Sequence, residues 1–217
     1  MKRLIISDLH IGSYFSKEKD IIKLLENTNY DELILAGDII DFIKIPKFTE
    51  DSLKIFDLIT NLNIPIIYII GNHDIAFKNF NNKNSKNLHF TKCYNFIDNN
   101  KKIRIEHGDD YDSSLIKWEH IMNIICVIAN LIERFFNFDL TNYWEKYRNN
   151  KRNKIDIENI IKKNNDIDVF IMGHTHRPEI VNIEFNNKNI LYCNSGDWVT
   201  HKSYLTLEDG NIELHNL

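Results

Sequence analysis

Pro65-Ile66-Ile67-Tyr68-Ile69-Ile70-Gly71-Asn72-His73-Asp74 opens on a proline, continues as five apolar residues, and breaks into a short polar motif. An unbroken apolar run of this length fits a strand buried on both faces, the usual state inside a parallel sheet. The polar residues then fall at its carboxyl end, where open α/β sheets bind their ligands. Four more segments repeat the pattern. Arg3 to Ser7 leads into Asp8-Leu9-His10, and Glu32 to Ala36 leads into Gly37-Asp38-Ile39-Ile40-Asp41. Ile103-Arg104-Ile105-Glu106 delivers His107-Gly108-Asp109, and Val169 to Met172 delivers Gly173-His174-Thr175-His176.

Between the first three strands the periodicity predicts helices. Asp20 to Glu26 belongs to an amphipathic one, and Asp51 to Leu62 carries apolar residues at 53, 55, 56, 58, 59 and 62. Repeated strand–helix–strand units imply right-handed crossovers and a largely parallel sheet. Lys78 to Asn87, rich in Asn and Lys, reads as a surface loop. Short strands are expected around 180–185, 190–193, 203–207 and 212–214, with Asp209-Gly210 as a hairpin turn.

A strand-end Gly-Asp pair alone is ordinarily a turn or a helix cap. Five such motifs in order are a different matter, because they collect the ligands that hard and borderline divalent ions prefer, carboxylate oxygens and neutral imidazoles. Two ions about 3.5–4 Å apart need one ligand that touches both, and a carboxylate suits that task. Asp38 is the candidate bridge. Asp8, His10 and His176 would complete one ion's shell, and Asn72, His107 and His174 the other's. A hydroxide held between the ions would be a nucleophile for phosphorus near neutral pH. Mn²⁺, Fe and Zn²⁺ all accept such a ligand set, with Mn²⁺ the expected pair. His89, His120 and His215 fall in no motif and read as structural.

These motifs resemble those of the calcineurin-like metallophosphoesterase superfamily, over essentially the whole chain. The resemblance implies an α/β fold, a four-layer αββα sandwich, and the metal assignment just given. It also implies that His73 sits beside the metals and protonates the leaving oxygen or stabilises the transition state, with Asp41 fixing the His73 ring. The expected activity is hydrolysis of a phosphodiester or pyrophosphate bond.

Composition agrees with one domain spanning 1–217. Hydrophobic residues make up 43% and charged residues 27%, ordinary for a soluble globular chain, and the net charge of -4 offers no basic surface for nucleic acid. Cys93, Cys126 and Cys193 are widely spaced and odd in number, which suits buried thiols in a reducing compartment. Residues 1–7 are already a strand that ends in a ligand, so no signal peptide is read and a cytoplasmic location is expected.

Ser113 to Phe138 exceeds what metal binding requires. Leu115, Trp118, Met122, Ile125, Ala129, Ile132 and Phe136 make one helical stripe, and Ile116, Ile124, Val127, Leu131, Phe135 and Phe138 widen it over most of the circumference. Its apolar heart is too short to span a bilayer. Three readings stand side by side: core or homodimer seam, lid over an apolar substrate, or a surface resting on the inner face of a membrane. Aromatic and basic residues at 143–154 suit an anionic headgroup. A helical cap insertion at about 113–165, between the His-Gly-Asp and Gly-His-Thr-His motifs, resembles the UDP-2,3-diacylglucosamine hydrolase branch, as does Asn194-Ser195-Gly196-Asp197-Trp198-Val199. The best-known members of that branch carry Arg at the position of His73, whereas other relatives keep His. A lipid-linked phosphoester is the substrate the resemblance implies. A small-molecule or nucleotide phosphodiesterase is the alternative, and a scaffold without turnover stands behind both. Phe42 follows Asp41 where protein Ser/Thr phosphatases place a phosphate-gripping Arg, and the added basic domains of repair nucleases are missing.

Overall fold

Strand pairing continues straight into the motif loops, and this sets where every candidate side chain lies. The structure, a computed structural model, describes residues 1–43, 46–111, 128, 131–132, 166–185 and 188–217. Within them, β1 (Lys2–Ile6), β2 (Glu32–Ala36) and β3 (Ile66–Ile69) run parallel and in step, with Ile5 beside Ile34 and Ile34 beside Ile67. The ladder then crosses into the loops: Asp8 N–H donates to Gly37 O at 2.9 Å, and His10 N–H to Asp38 O at 3.0 Å. Two helices, α1 (Glu18–Asn27) and α2 (Glu50–Asn61), form the crossovers. Helix α2 starts on a capping box in which Thr49 and Ser52 exchange backbone and hydroxyl hydrogen bonds.

The remaining strands are β4 (Lys83–Ser85), β5 (Leu88–Thr91), β6 (Cys93–Asp98), β7 (Lys101–Glu106), β8 (Val169–Met172), β9 (Glu179–Phe185), β10 (Lys188–Asn194), β11 (Ser203–Glu208) and β12 (Asn211–Asn216). One sheet has seven strands in the order β12-β11-β1-β2-β3-β5-β4, the other five in the order β6-β7-β8-β10-β9. Parallel pairing holds only at the centres, β1-β2-β3-β5 and β7-β8-β10; the flanking strands are antiparallel. The expectation of a largely parallel sheet is corrected accordingly. The segment read as a surface loop also contains structure, a 3₁₀ turn (Ile75–Phe80) and strand β4. Lys83, Asn84 and Ser85 are all exposed on an edge, so no apolar alternation marked them.

The sheets face each other through a dry layer. Ile5, Ile34, Ile69 and Leu205 of the first meet Ile105, Ile171 and Cys193 of the second, all fully buried. On the outer face of the first sheet, Leu4, Ile6, Leu33 and Leu35 pack under Ile21, Leu24, Ile55 and Ile59 of the helices. Ile167, Phe170, Met172 and Tyr192 form a third cluster on the far face of the second sheet. An α/β sandwich is thus described through three layers. The helical layer expected at 113–165, and with it Cys126 and His120, lies outside the described residues, save that Ile128, Leu131 and Ile132 are helical and exposed. Cys93 and Cys193 are free thiols, and no helix among the described residues is long and apolar enough to cross a membrane.

Because Ile34 is fully buried between the two sheets, Ile34→Ala should cost about 2–5 kcal/mol in transfer and cavity terms. Leu53→Ala on the exposed side of α2, where the side chain is 61% accessible, should stay within about 0.5 kcal/mol. Urea unfolding of the two variants measures the difference, and equal losses would contradict the packing described.

Candidate metal centre

Each motif places its polar residues on the turn that leaves a strand, and the backbone there is unusual. Asp8, His10, Asp38, His174 and His176 all adopt left-handed conformations, with φ of 53°, 47°, 54°, 63° and 57°. Side chains other than glycine seldom do so, although Asp and His tolerate it better than most, and such strain concentrates at functional sites. In the loops after β1, β2 and β8 these left-handed residues turn the chain sharply at the strand end. Gly37 (φ 91°) has no Cβ because the His107 ring lies against it, and at Gly71 a Cβ would collide with the Asp38 carboxylate.

Three groups of side chains bring their donor atoms within 4.8 Å of one another: Asp8, His10 and His176; Asp38, His107 and His174; and His10, Asp38 and His73. In the first, Asp8 Oδ1 lies 3.1 Å from His176 Nε2 and 3.9 Å from His10 Nε2, and the two imidazole nitrogens are 3.4 Å apart. Asp8 is fully buried, and its Oδ1 accepts no hydrogen bond among the described residues. A buried carboxylate oxygen aimed at imidazole nitrogens without a hydrogen bond is the arrangement a cation completes. In the second group, His107 Nε2 lies 3.1 Å from Asp38 Oδ2 and 3.2 Å from the amide oxygen of Asn72. His107 Nδ1 donates to the Ala36 carbonyl at 3.1 Å, so Nε2 is the atom offered to the cleft. These donors fit divalent ions.

Asp38 stands between the groups. Its Oδ1 accepts the His73 N–H at 2.7 Å, which leaves Oδ2 facing His107, with His73 Nε2 at 3.9 Å. Sequence reasoning assigned bridging to a carboxylate with two oxygens; here one of them already holds the neighbouring loop. His73 Nδ1 meets Asp41 Oδ1 at 2.7 Å, and the other Asp41 oxygen lies 3.7 Å from His10 Nδ1. The His73 ring packs edge-on to His10 at 4.7 Å. All nine candidates, Asp8, His10, Asp38, Asp41, Asn72, His73, His107, His174 and His176, therefore line one cleft. His89 and His215 lie elsewhere, bonded to Asn84 and Thr206.

Electrostatics tie the cleft together. Burial disfavours charge on Asp38, yet His107 and then His73 hold its carboxyl well below the usual range. Burial likewise opposes charge on His107, but Asp38 and then Asp8 outweigh it and push the imidazolium up to about 10. His10 moves the other way, down to about 4, through burial and the charge of His73 against the pull of Asp41. Several buried supports carried no role in the sequence reading. Asp74 closes the motif at the end of β3 and accepts hydrogen bonds from the loop after β2. Asn194 donates to Gly173 O at 2.7 Å and to Thr175 Oγ1 at 3.0 Å, holding the turn that carries His174 and His176. The Trp198 N–H reaches Asp8 O at 3.1 Å. Asp74 closes one of the five motifs, and Asn194 and Trp198 fall in the stretch 194–199 that carries the resemblance, but nothing local marks what each one bonds.

The fold is an α/β sandwich of two sheets, and its strand ends gather Asp and His groups that could hold metal ions. The family described as Calcineurin-like phosphoesterase matches residues 1–178, and the chain belongs to it. It is a phosphoester hydrolase of a metal-dependent family. Among curated proteins it is 25% identical over 239 residues to the UDP-2,3-diacylglucosamine hydrolase of Vibrio atlanticus (strain LGP32), covering 100% of this chain and 97% of that one. With the protein of that name from Psychromonas ingrahamii (strain DSM 17664 / CCUG 51855 / 37) it shares 24% over 238 residues, covering 99% and 96%. Solved structures similar in fold include an archaeal phosphodiesterase (TM-score 0.51, 19% identity, 100% of both chains) and Vps29 of Chaetomium thermophilum (TM-score 0.52, 12% identity, 100% and 97%).

At pH 8 the metal-free protein should carry a proton on His107, since that pH lies below about 10. Coordination requires the neutral ring, so loading with Mn²⁺ should release about one proton from this site, and apparent affinity should rise with pH. Calorimetric titration in two buffers of different ionisation enthalpy reads this directly. A binding heat independent of the buffer would contradict it.

Proposed function

We propose that the cleft holds two divalent ions, Mn²⁺ by preference, and that the chain hydrolyses the pyrophosphate bond of a lipid-linked substrate similar to UDP-2,3-diacylglucosamine. The observation that carries the first half is the pair of donor groups, Asp8/His10/His176 and Asp38/His107/His174, side by side at the end of both sheets. Asp38 Oδ2 belongs to both sites in this reading, and Asn72 completes the second with an uncharged amide oxygen. All donors are oxygen or nitrogen, a set that suits Mn²⁺ and also admits Fe or Zn²⁺.

When bound, two such ions supply Lewis acidity at phosphorus and lower the pKa of water, so that a nucleophile exists near neutral pH. The chain's own groups do the rest. His73 presents Nε2 to the cleft because Asp41 holds Nδ1, and it protonates the departing oxygen. Its backbone N–H is fixed by Asp38, so ring and carboxylate keep one relative position. Asp8, Asp38 and His107 are themselves buried, which strengthens every charge interaction among them.

Support for the lipid half comes from the full-length relatives and from exposed apolar side chains. Tyr14, Ile75 and Phe80 stand exposed on loops that leave the same strand ends, and Ile128, Leu131 and Ile132 are exposed on a helix of the cap region. Acyl chains resting there would bring a protein of the cytosol to the inner face of a membrane as a peripheral partner.

His73→Ala should lower kcat by roughly 10²–10⁴, the loss expected for a general acid, while the Mn²⁺ content stays near normal. Elemental analysis beside turnover of bis(p-nitrophenyl) phosphate decides it, and a variant that loses its metal or works normally would remove His73 from the chemistry. For the lipid, each buried CH₂ contributes ~0.8 kcal/mol, so a few shielded methylenes give roughly tenfold or more in kcat/KM. UDP-2,3-diacylglucosamine should be hydrolysed far faster than its deacylated analogue. Changing Ile128, Leu131 and Ile132 to Gln should erase that preference and leave the aryl diester unaffected. Equal rates on both substrates would favour a nucleotide phosphodiesterase, and a change of oligomeric state instead would mark a homodimer seam.

A further inference from the structure

We infer that Asp74, whose two oxygens are taken up by backbone N–H groups and the Tyr68 hydroxyl, is the positioning residue that fixes Asp38 and His73 and so sets the spacing of the two cation sites. The inference rests on the reading that Asp38 serves both. Asp74 is fully buried. Its Oδ2 accepts the backbone N–H of Asp38 at 2.8 Å, of Gly71 at 3.0 Å and of Ile39 at 3.4 Å. Its Oδ1 accepts the N–H of Ile40 at 3.0 Å and the hydroxyl of Tyr68 at 2.7 Å. Two loops that are 34 to 36 residues apart in sequence thus converge on one side chain.

The bonds form a closed ring. Asp74 holds the backbone of Asp38, and Asp38 Oδ1 in return accepts the N–H of His73, the residue before Asp74. A second strap runs from the Phe42 N–H to the His73 carbonyl at 3.2 Å. Three consecutive N–H groups, at 38, 39 and 40, can point to one spot only because Asp38 is left-handed, with φ of 54°. The carboxylate therefore stabilises the strained backbone that aims the bridging candidate. Asp197 gives the contrast: equally buried, it accepts from Val199, Thr200 and His201 of its own loop and orders that loop alone. An amide at position 74 has one accepting oxygen and a donating NH₂, and the NH₂ cannot face N–H donors. Asp74→Asn must therefore release one side of the clasp.

The test is Mn²⁺ loading of wild type, Asp74→Asn and Tyr68→Phe, followed by electron paramagnetic resonance for exchange coupling between the ions. Calorimetry gives stoichiometry, and turnover of bis(p-nitrophenyl) phosphate gives kcat and KM. Wild type should bind two ions and show the coupled signal. Asp74→Asn should weaken the second ion or lower kcat by roughly 10- to 100-fold, alter the coupled signal, and leave KM nearly unchanged. Tyr68→Phe, which removes one donor and keeps the ring, should shift the coupling in the same direction by less, and it decides the matter if Asp74→Asn fails to fold. Coupling, stoichiometry and kcat equal to wild type in the folded variants would overturn the inference while the metal reading stands. Absence of a coupled pair in wild type itself would overturn the reading first.

Discussion

Three carboxylates, Asp8, Asp38 and Asp41, are buried beside five imidazoles, and none of them can stay there as a bare anion. Removing a carboxylate from water is costly unless a counter-charge or several hydrogen bonds meet it. For Asp38 the counter-charge is a proton on His107 when nothing else is bound, and a divalent ion in the proposed working state. The same exclusion of water that makes the unpaired charge expensive makes its partner bind strongly. Holding these charges together out of water is costly, and the rest of the fold keeps them in place.

That holding is done by backbone geometry more than by side-chain bulk. In-step parallel strands end at one level, and their ladder continues into the loops through Asp8, His10 and Asp41. Left-handed backbone at five of the candidate ligands turns the chain sharply at the strand ends. The cost of that strain is met by bonds beneath the cleft, from Asp74 under the loop after β2, Asn194 under the Gly-His-Thr-His turn and the Trp198 amide under Asp8. The dry layer between the sheets then sets the distance across which Asp38 of one sheet meets His107 of the other.

Chemistry and recognition are separated in this arrangement. The donor atoms belong to strand ends of the two sheets and fit divalent ions. Selectivity has to come from what surrounds the candidate ligands, where Tyr14, Ile75 and Phe80 stand exposed after β1 and β3. Rigid strand ends keep the candidate ligands in place, whereas loops can change without disturbing the ladder.

By itself the sequence determined the elements that local physics controls. Apolar runs such as 66–70 give buried strands, apolar spacing at 53–62 gives α2, and the motifs give a candidate ligand set of the right hardness at strand ends. The hairpin of β11 and β12 was legible from Asp209-Gly210, but the short strand at 83–85 was not, because an edge strand of polar residues has no periodic signal. Nor was the clasp at Asp74, which looked like the last letter of a motif. Which N–H groups a buried carboxylate accepts depends on loops 34 to 36 residues distant, and no local pattern encodes that choice. Tertiary structure also decided that one oxygen of Asp38 is committed to His73 while the other faces His107. Residue types fix which atoms can ligate, but only the packing of one sheet against another fixes where they meet.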